Sequence, residues 1–213
     1  RDEVVALLQK CTKPVVAIFL GEKPENHEGK VYLAHTLEET ARMAVDLANG
    51  DPIKDNYCDP INYEVSKPLA ADKTVKGLYS GGSLAAEAGM LIAEALNLGG
   101  LIKEEGYILK TGGYEVVDLG DDVYTQGKPH PMIDPEVRIK KILECAKDPQ
   151  TGVILLDCML GYGCHPDMAG ALAPAIREAQ EIAKADGREL YFVASVCGTR
   201  QDPQDYDRAV AEL

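Results

Sequence analysis

The chain has 213 residues, 46% hydrophobic and 27% charged, a composition that supports one large soluble domain or two small ones. Its 22 basic and 35 acidic residues leave a net charge of −13, which excludes a general nucleic-acid or membrane-surface binder, since either needs a basic patch. No apolar run approaches the roughly 18 residues of a membrane span, and the six cysteines lack CxxC spacing, as expected of free thiols in a reduced cytoplasmic setting.

The chain opens at Arg1 rather than Met, with no signal-peptide pattern. Val4, Val5, Leu7 and Leu8 give a short helix over 2–10. Pro14–Leu20 reads as a buried strand ending at Gly21, 22–30 as a polar loop, and Val31–His35 as a second strand. Thr36-Leu-Glu-Glu39 has the form of a capping box, in which Thr36 accepts from a first-turn amide and Glu39 reaches back. Its helix runs to about Asn49, with Ala41, Val45 and Ala48 on one face and Gly50 past the end. Residues 51–74 carry prolines and aspartates without a period. A segment that long is better explained by a linker between domains than by a loop inside one.

From Val75 the pattern alternates. Strands are expected at Val75–Tyr79, Glu115–Leu119, Val153–Leu160 and Leu190–Val196. Helices are expected at Leu84–Leu96, Glu136–Ala146, Met168–Ala185 and Tyr206–Leu213. Such alternation predicts an α/β fold with a parallel sheet and helices on both faces. The run Val153–Leu160, interrupted only by Asp157, reads as a strand buried on both faces and interior to the sheet. Asp157 belongs at the sheet's rim or in a hydrogen bond.

Residues 14–24 and 191–201 echo one another as strand, glycine and polar loop. The simplest account is two related domains. Residues 1–50 form the C-terminal part of a first, 51–74 link them, and 75–213 form a second that lacks its last strand and helix. Two strands make a poor sheet alone. The open apolar edges are therefore expected to be covered by a second copy or by partner subunits.

In a parallel sheet every strand ends on one edge, where ligands bind. The loops Ser80-Gly81-Gly82-Ser83, Gly120-Asp121-Asp122, Gly161-Tyr162-Gly163-Cys164 and Gly198-Thr199-Arg200 should meet there. Glycine-loop amides at helix starts suit a small anionic, phosphate-bearing ligand. We take Ser80, Gly81, Gly82, Ser83, Gly161, Tyr162, Gly163 and Cys164 as its binding residues. His130 lies in a long proline-flanked loop and His165 follows the glycine loop, so both are acid, base or donor candidates. Lys128 and Arg200 are the cations that would offset a negative ligand. Cys158, Cys164 and His165 lack a zinc spacing, and acidic turn residues such as Asp121 and Asp122 are commoner than a Mg²⁺ site, so no metal is assigned.

Val-Lys-Gly-Leu-Tyr-Ser-Gly-Gly-Ser-Leu-Ala-Ala-Glu-Ala (75–88), Val-Asp-Leu-Gly-Asp-Asp (117–122), Gly-Lys-Pro-His-Pro-Met-Ile-Asp-Pro (127–135) and Val-Ile-Leu-Leu-Asp-Cys-Met-Leu-Gly-Tyr-Gly-Cys-His-Pro-Asp (153–167) resemble the FdrA family. That family lies within the acyl-CoA synthetase (succinyl-CoA ligase) superfamily. The resemblance implies flavodoxin-like ligase domains, with 1–50 matching the end of an α-subunit type and 75–213 most of a β-subunit type. It implies that Ser80–Ser83 and Tyr162–Cys164 face an acyl substrate and a phosphorylated histidine, with CoA or a phosphate-bearing substrate as ligand. It equally implies a subunit of an oxamate-type carbamoyltransferase using carbamoyl phosphate, or an assembly subunit that keeps the fold without the chemistry.

The superfamily's phosphohistidine sits in a Gly-His-Ala-Gly loop. Here the nearest match is His35 in Leu-Ala-His-Thr-Leu-Glu, and no ATP-grasp region or CoA-binding fingerprint occurs in these residues. His35 precedes a capping box, His27 lies between glutamates, His130 lies between prolines and His165 precedes Pro166. A swinging, phosphate-carrying histidine is therefore not expected.

Overall fold

A computed structural model describes residues 1–22, 29–54, 57 and 69–213. The expected loop around His27, Cys58 and most of the 51–74 linker lie outside the described residues. The chain divides into two compact units, Arg1–Ser66 and Lys67–Leu213.

The first unit holds α1 (Asp2–Leu8), β1 (Val15–Ile18), β2 (Val31–Ala34) and α2 (Leu37–Asn49). β1 and β2 pair in parallel, Val15 opposite Val31. The Thr36 hydroxyl accepts from the Glu39 amide at 3.1 Å, and the Glu39 carboxylate accepts from the His35 amide at 2.6 Å. The capping box thus forms, with its return bond one residue earlier than usual. Gly50 ends the helix at φ 80°, where a side chain would be strained. The structure corrects the expected face of α2. Met43 is the buried residue, while Ala41, Val45 and Ala48 are exposed. Alanines carry little apolar area, and the cap at Thr36 sets the helix's rotation so that Met43 packs with Ala34 and Tyr57.

The second unit holds β3 (Thr74–Tyr79), α3 (Gly82–Leu96), β4 (Tyr107–Thr111), β5 (Tyr114–Asp118), α4 (Asp122–Thr125), α5 (Glu136–Lys147), β6 (Thr151–Met159), α6 (Met168–Ala185), β7 (Tyr191–Cys197) and α7 (Tyr206–Glu212). Five strands form one sheet in the order β4-β5-β3-β6-β7. The four expected strands pair in parallel, and β6 is interior. The fifth corrects the all-parallel expectation, since β4 runs antiparallel to β5 at the edge. Its turn is Gly112-Gly113, at φ 55° and 86°. Positive φ at both turn positions gives a tight hairpin the right twist, and only glycine adopts it without cost.

Helices cover both faces. α3 packs Ala85 and Ala93 against Tyr79, Leu109 and Val116. α5, α6 and α7 pack Ile142, Leu172, Ile176 and Ala209 against Leu78, Val117, Ile154 and Leu156. Each fully buried Leu or Ile there contributes about 1.5–3 kcal/mol. Among the described residues no helix is long and apolar enough to cross a membrane.

The order sets where a crevice opens. From β3 the chain moves through α3 to β5 on one side, and α5 then carries it back across to β6 on the other. The loops after β3 and β6 leave in opposite directions, which makes this edge the topological switch point of the sheet.

Candidate functional site

The loops after β3 and β6 flank the switch point. Gly81 is the N-cap of α3 and supplies no side-chain acceptor. No side-chain cap bond holds the first-turn amides of α3, at the positive end of a 15-residue helix, but the Asp118 carboxylate stands beside Gly82, where a β-carbon would lie 2.9 Å from its Oδ2.

The α6 side is more occupied than expected. Asp167 caps that helix, accepting from the Gly170 amide at 3.1 Å. Its other oxygen meets Arg208 at 2.6 Å. A carboxylate already sits where an anion was expected. Gln204 clamps the glycine loop. It accepts from the Gly161 amide at 2.9 Å and donates to the carbonyls of Gly161 and His165. The Cys164 amide turns back to Gly161 O. Tyr162 points out with 90% exposure, and Gly163 takes φ 84° with open space around its α-carbon.

Beneath the turn after β3 lies a buried ionic cluster. The register of β3 with β6 runs as far as Leu78 opposite Leu156. Ser80 stands just past that point, and the Asp157 carboxylate supplies an acceptor for its amide. Both carboxylate oxygens lie 3.0 Å from the Ser80 amide, and one accepts from the Ser80 hydroxyl at 2.7 Å. Arg138, from α5, donates through Nη2 to the Asp157 carboxylate at 2.8 Å and to its carbonyl. Ser80, Asp157 and Arg138 are all fully buried. Ser80 thus anchors the turn from below, while Gly81, Gly82 and Ser83 form its partly exposed part.

The two histidines repeat one local device. In His130-Pro131-Met132 the ring Nδ1 accepts from the Met132 amide at 3.2 Å. In His165-Pro166-Asp167 it accepts from the Asp167 amide at 3.0 Å. The His165 amide donates to Met132 O at 2.8 Å, so the two segments are tied together. An Nδ1 that accepts carries no proton, so each neutral ring holds its proton on Nε2, an assignment made from the hydrogen-bond network. His130 Nε2, Ser80 O and Asp118 Oδ1 converge over Gly120. A β-carbon there would stand 2.7, 2.7 and 3.0 Å from them.

Asp118, at the end of β5, is pushed above the usual carboxylate range by burial, and the nearby Asp121 and Asp157 charges add to the effect. Its bond from the Gly120 amide and the nearby His130 oppose the rise. The charged form is then disfavoured in the folded state. Its protonated form favours folding below the unfolded value of about 3.9, and that stability is lost as pH rises through the higher folded value. Asp118→Asn is therefore expected to stabilise the protein at pH 7, with the gain shrinking toward zero below about pH 4. Urea midpoints across pH check this, and a gain that persists into acid would contradict it.

Other candidates are placed elsewhere. Arg200 is exposed and forms a two-pronged pair with Asp207, at 3.0 and 2.8 Å. Its fork is already filled by a carboxylate. Asp121 caps α4, accepting from the Val123 amide at 3.0 Å. Among the described residues no group of three His, Cys, Asp or Glu side chains could hold a metal ion. Lys128 lines a surface groove of about 410 Å³ with Lys140, Lys141, Asp134, Glu136 and Glu144, whose charges balance. Burial pushes the thiols of Cys164 and Cys197 up, and that of Cys158 up to about 11, so all three stay protonated and weakly nucleophilic.

Arg138, Asp118 and Gln204 escaped the sequence reading. A signal existed for Arg138, since at spacings of four it shares a helix face with Ile142 and Ala146, which are buried. Nothing local marks Gln204, whose partners are distant in the chain, whereas Asp118 takes a local bond from the Gly120 amide two residues on.

A family model described as CoA-ligase matches residues 78–213. The chain is also similar to the "Uncharacterized protein YahF" of Escherichia coli K12, 36% identical over 217 aligned positions, covering 94% of this chain and 41% of that protein. The chain thus spans less than half the length of this curated relative.

Proposed function

This chain belongs to the CoA-ligase family, and on that premise we propose that its switch-point edge takes part in transferring an acyl or carbamoyl group from a phosphate-activated donor, without carrying the phosphate on His130 or His165. In such a transfer the acceptor's nucleophile bonds to the carbonyl carbon and the carbon–oxygen bond to phosphate breaks. Phosphate leaves with the electron pair, and the acceptor's proton passes to a base.

The observation that carries this reading is the tautomer of the two edge imidazoles. A histidine that accepts phosphate must offer a lone pair. Here the lone pair is on Nδ1, already bonded to a backbone amide, and Nε2 carries the proton. Both rings suit hydrogen-bond donation to negative charge developing on an oxygen. The first turn of α3, which no side chain caps, offers further donors.

One observation favours a second reading, ligase chemistry through phosphohistidine. His35 has Nδ1 3.3 Å from the Glu22 carbonyl, so its neutral ring places the lone pair on Nε2. Against it, the His35 amide is held by Glu39 and the next residue is a buried helix cap, which limits any swing between sites.

The full-length protein is incubated with γ-labelled ATP or GTP and Mg²⁺, then tested for acid-labile, alkali-stable label. Phosphate release from carbamoyl phosphate and acetyl phosphate is measured in parallel. We expect no label, together with acceptor-dependent phosphate release. Stoichiometric label that disappears in His35→Asn would establish the second reading and overturn the first.

A further inference from the structure

We infer that Arg138 and Asp157 are a positioning pair beneath the switch-point edge: Asp157 pins the β3–α3 turn through Ser80, and Arg138 cancels the carboxylate's charge so that an anionic ligand can sit above it. This rests on the reading of the edge as the seat of a phosphate-bearing ligand.

The geometry makes both halves necessary. Asp157 is the acceptor for the Ser80 amide and hydroxyl where the register of β3 with β6 ends, so the turn leading into α3 hangs on this carboxylate. An uncompensated negative charge at that spot would add to that of Asp118, whose carboxylate stands beside Gly82, and repel any anion bound at the α3 N-terminus. The repulsion would be felt strongly in a buried, weakly screened position. Arg138 removes it through Nη2 at 2.8 Å. Its Nε and Nη1 are also buried and have no hydrogen-bond partner among the described residues. Structure alone gives no return for burying a guanidinium with two donors unfilled, because an apolar side chain of similar volume is usually as stable. A cation at this place makes sense if its field is used.

The test exploits signs that a merely structural role does not produce. Three variants of the full-length protein are compared with wild type: Asp157→Asn, Arg138→Met, and the two combined. Inorganic phosphate binding is measured by titration calorimetry at pH 8 and low ionic strength, and stability by urea unfolding. In Asp157→Asn the side-chain carbonyl can still accept from the Ser80 amide, so the turn is kept while Arg138 is left without a counter-charge. Asp157→Asn should bind phosphate about tenfold tighter and Arg138→Met about tenfold weaker. Both should be less stable, and the combined variant should recover most of the stability and bind near the wild-type level.

If Arg138→Met does not fold, Asp157→Asn and the combined variant still differ only at residue 138, a cation in one and a neutral side chain in the other, and the former must bind more tightly. Equal phosphate affinity in all variants, or affinity falling in step with stability in both single variants, overturns the pair's role and leaves the anion-binding edge standing. Wild-type protein that binds no phosphate overturns the edge itself and this inference with it.

Discussion

Asp157→Ala is expected to lower the stability of the second unit by about 3–5 kcal/mol, the largest loss anticipated from any single substitution near the site. Truncation leaves the Arg138 guanidinium in a fully buried position with its carboxylate partner gone. It also strips the acceptor from the Ser80 amide and hydroxyl, each buried and therefore costly to leave unsatisfied. An interior strand between β3 and β7 cannot shift to let water in without breaking two ladders. The urea midpoint should fall while the denaturant slope stays unchanged, the mark of a native-state loss. A change below about 1 kcal/mol would show that Arg138 relaxes to other partners and that the cluster does little for stability.

Gly120→Ala is expected to disable the edge more than it harms the fold. The new methyl would stand 2.7 Å from the Ser80 carbonyl and from His130 Nε2, and 3.0 Å from Asp118. The Ser80 carbonyl is backbone, anchored below by Asp157, and cannot retreat. The His130 segment is held by the Met132 bonds and can retreat only by breaking its tie to His165. Overpacking of this kind costs about 1–3 kcal/mol. It should also push the imidazole from its place, so phosphate binding and any group transfer should be lost in protein that remains folded. Wild-type phosphate affinity in folded Gly120→Ala would place the ligand away from these three groups.

The two variants separate what the edge needs. Asp157 acts from below, through the turn it anchors. Gly120 acts at the surface, by leaving room for Ser80, Asp118 and His130, which come from three separate segments of the chain. The same logic explains why Arg200 and Lys128, the cations most visible in the sequence, do not stand out at the site. Long surface side chains find the nearest carboxylate, as Arg200 finds Asp207 seven residues on.

Much of this architecture is written locally. Runs such as Val153–Leu160 and Leu190–Val196 mark strands because buried parallel strands need apolar side chains on both faces. The Thr36–Glu39 box and the Met168 start mark helices because orphan amides need nearby acceptors. The glycines after each strand mark the carboxyl edge, since a chain leaving a strand for a helix turns sharply. The β4–β5 hairpin is equally local, in Gly112-Gly113, but short flanking runs hide it.

By itself, then, the sequence determined the alternation of strands and helices, the parallel pairing it entails and the edge where glycine loops gather, because each rests on contacts within one element or its ends. Tertiary structure alone decided which groups meet at that edge. Ser80 and Asp157 are 77 residues apart, and Arg138 reaches Asp157 from a helix on the sheet's other layer. Whether a histidine offers a proton or a lone pair depends on which backbone amide its ring meets. Charge cancellation and tautomer are set by distances of about 3 Å between remote parts of the chain, and those distances exist only after the sheet has ordered its strands.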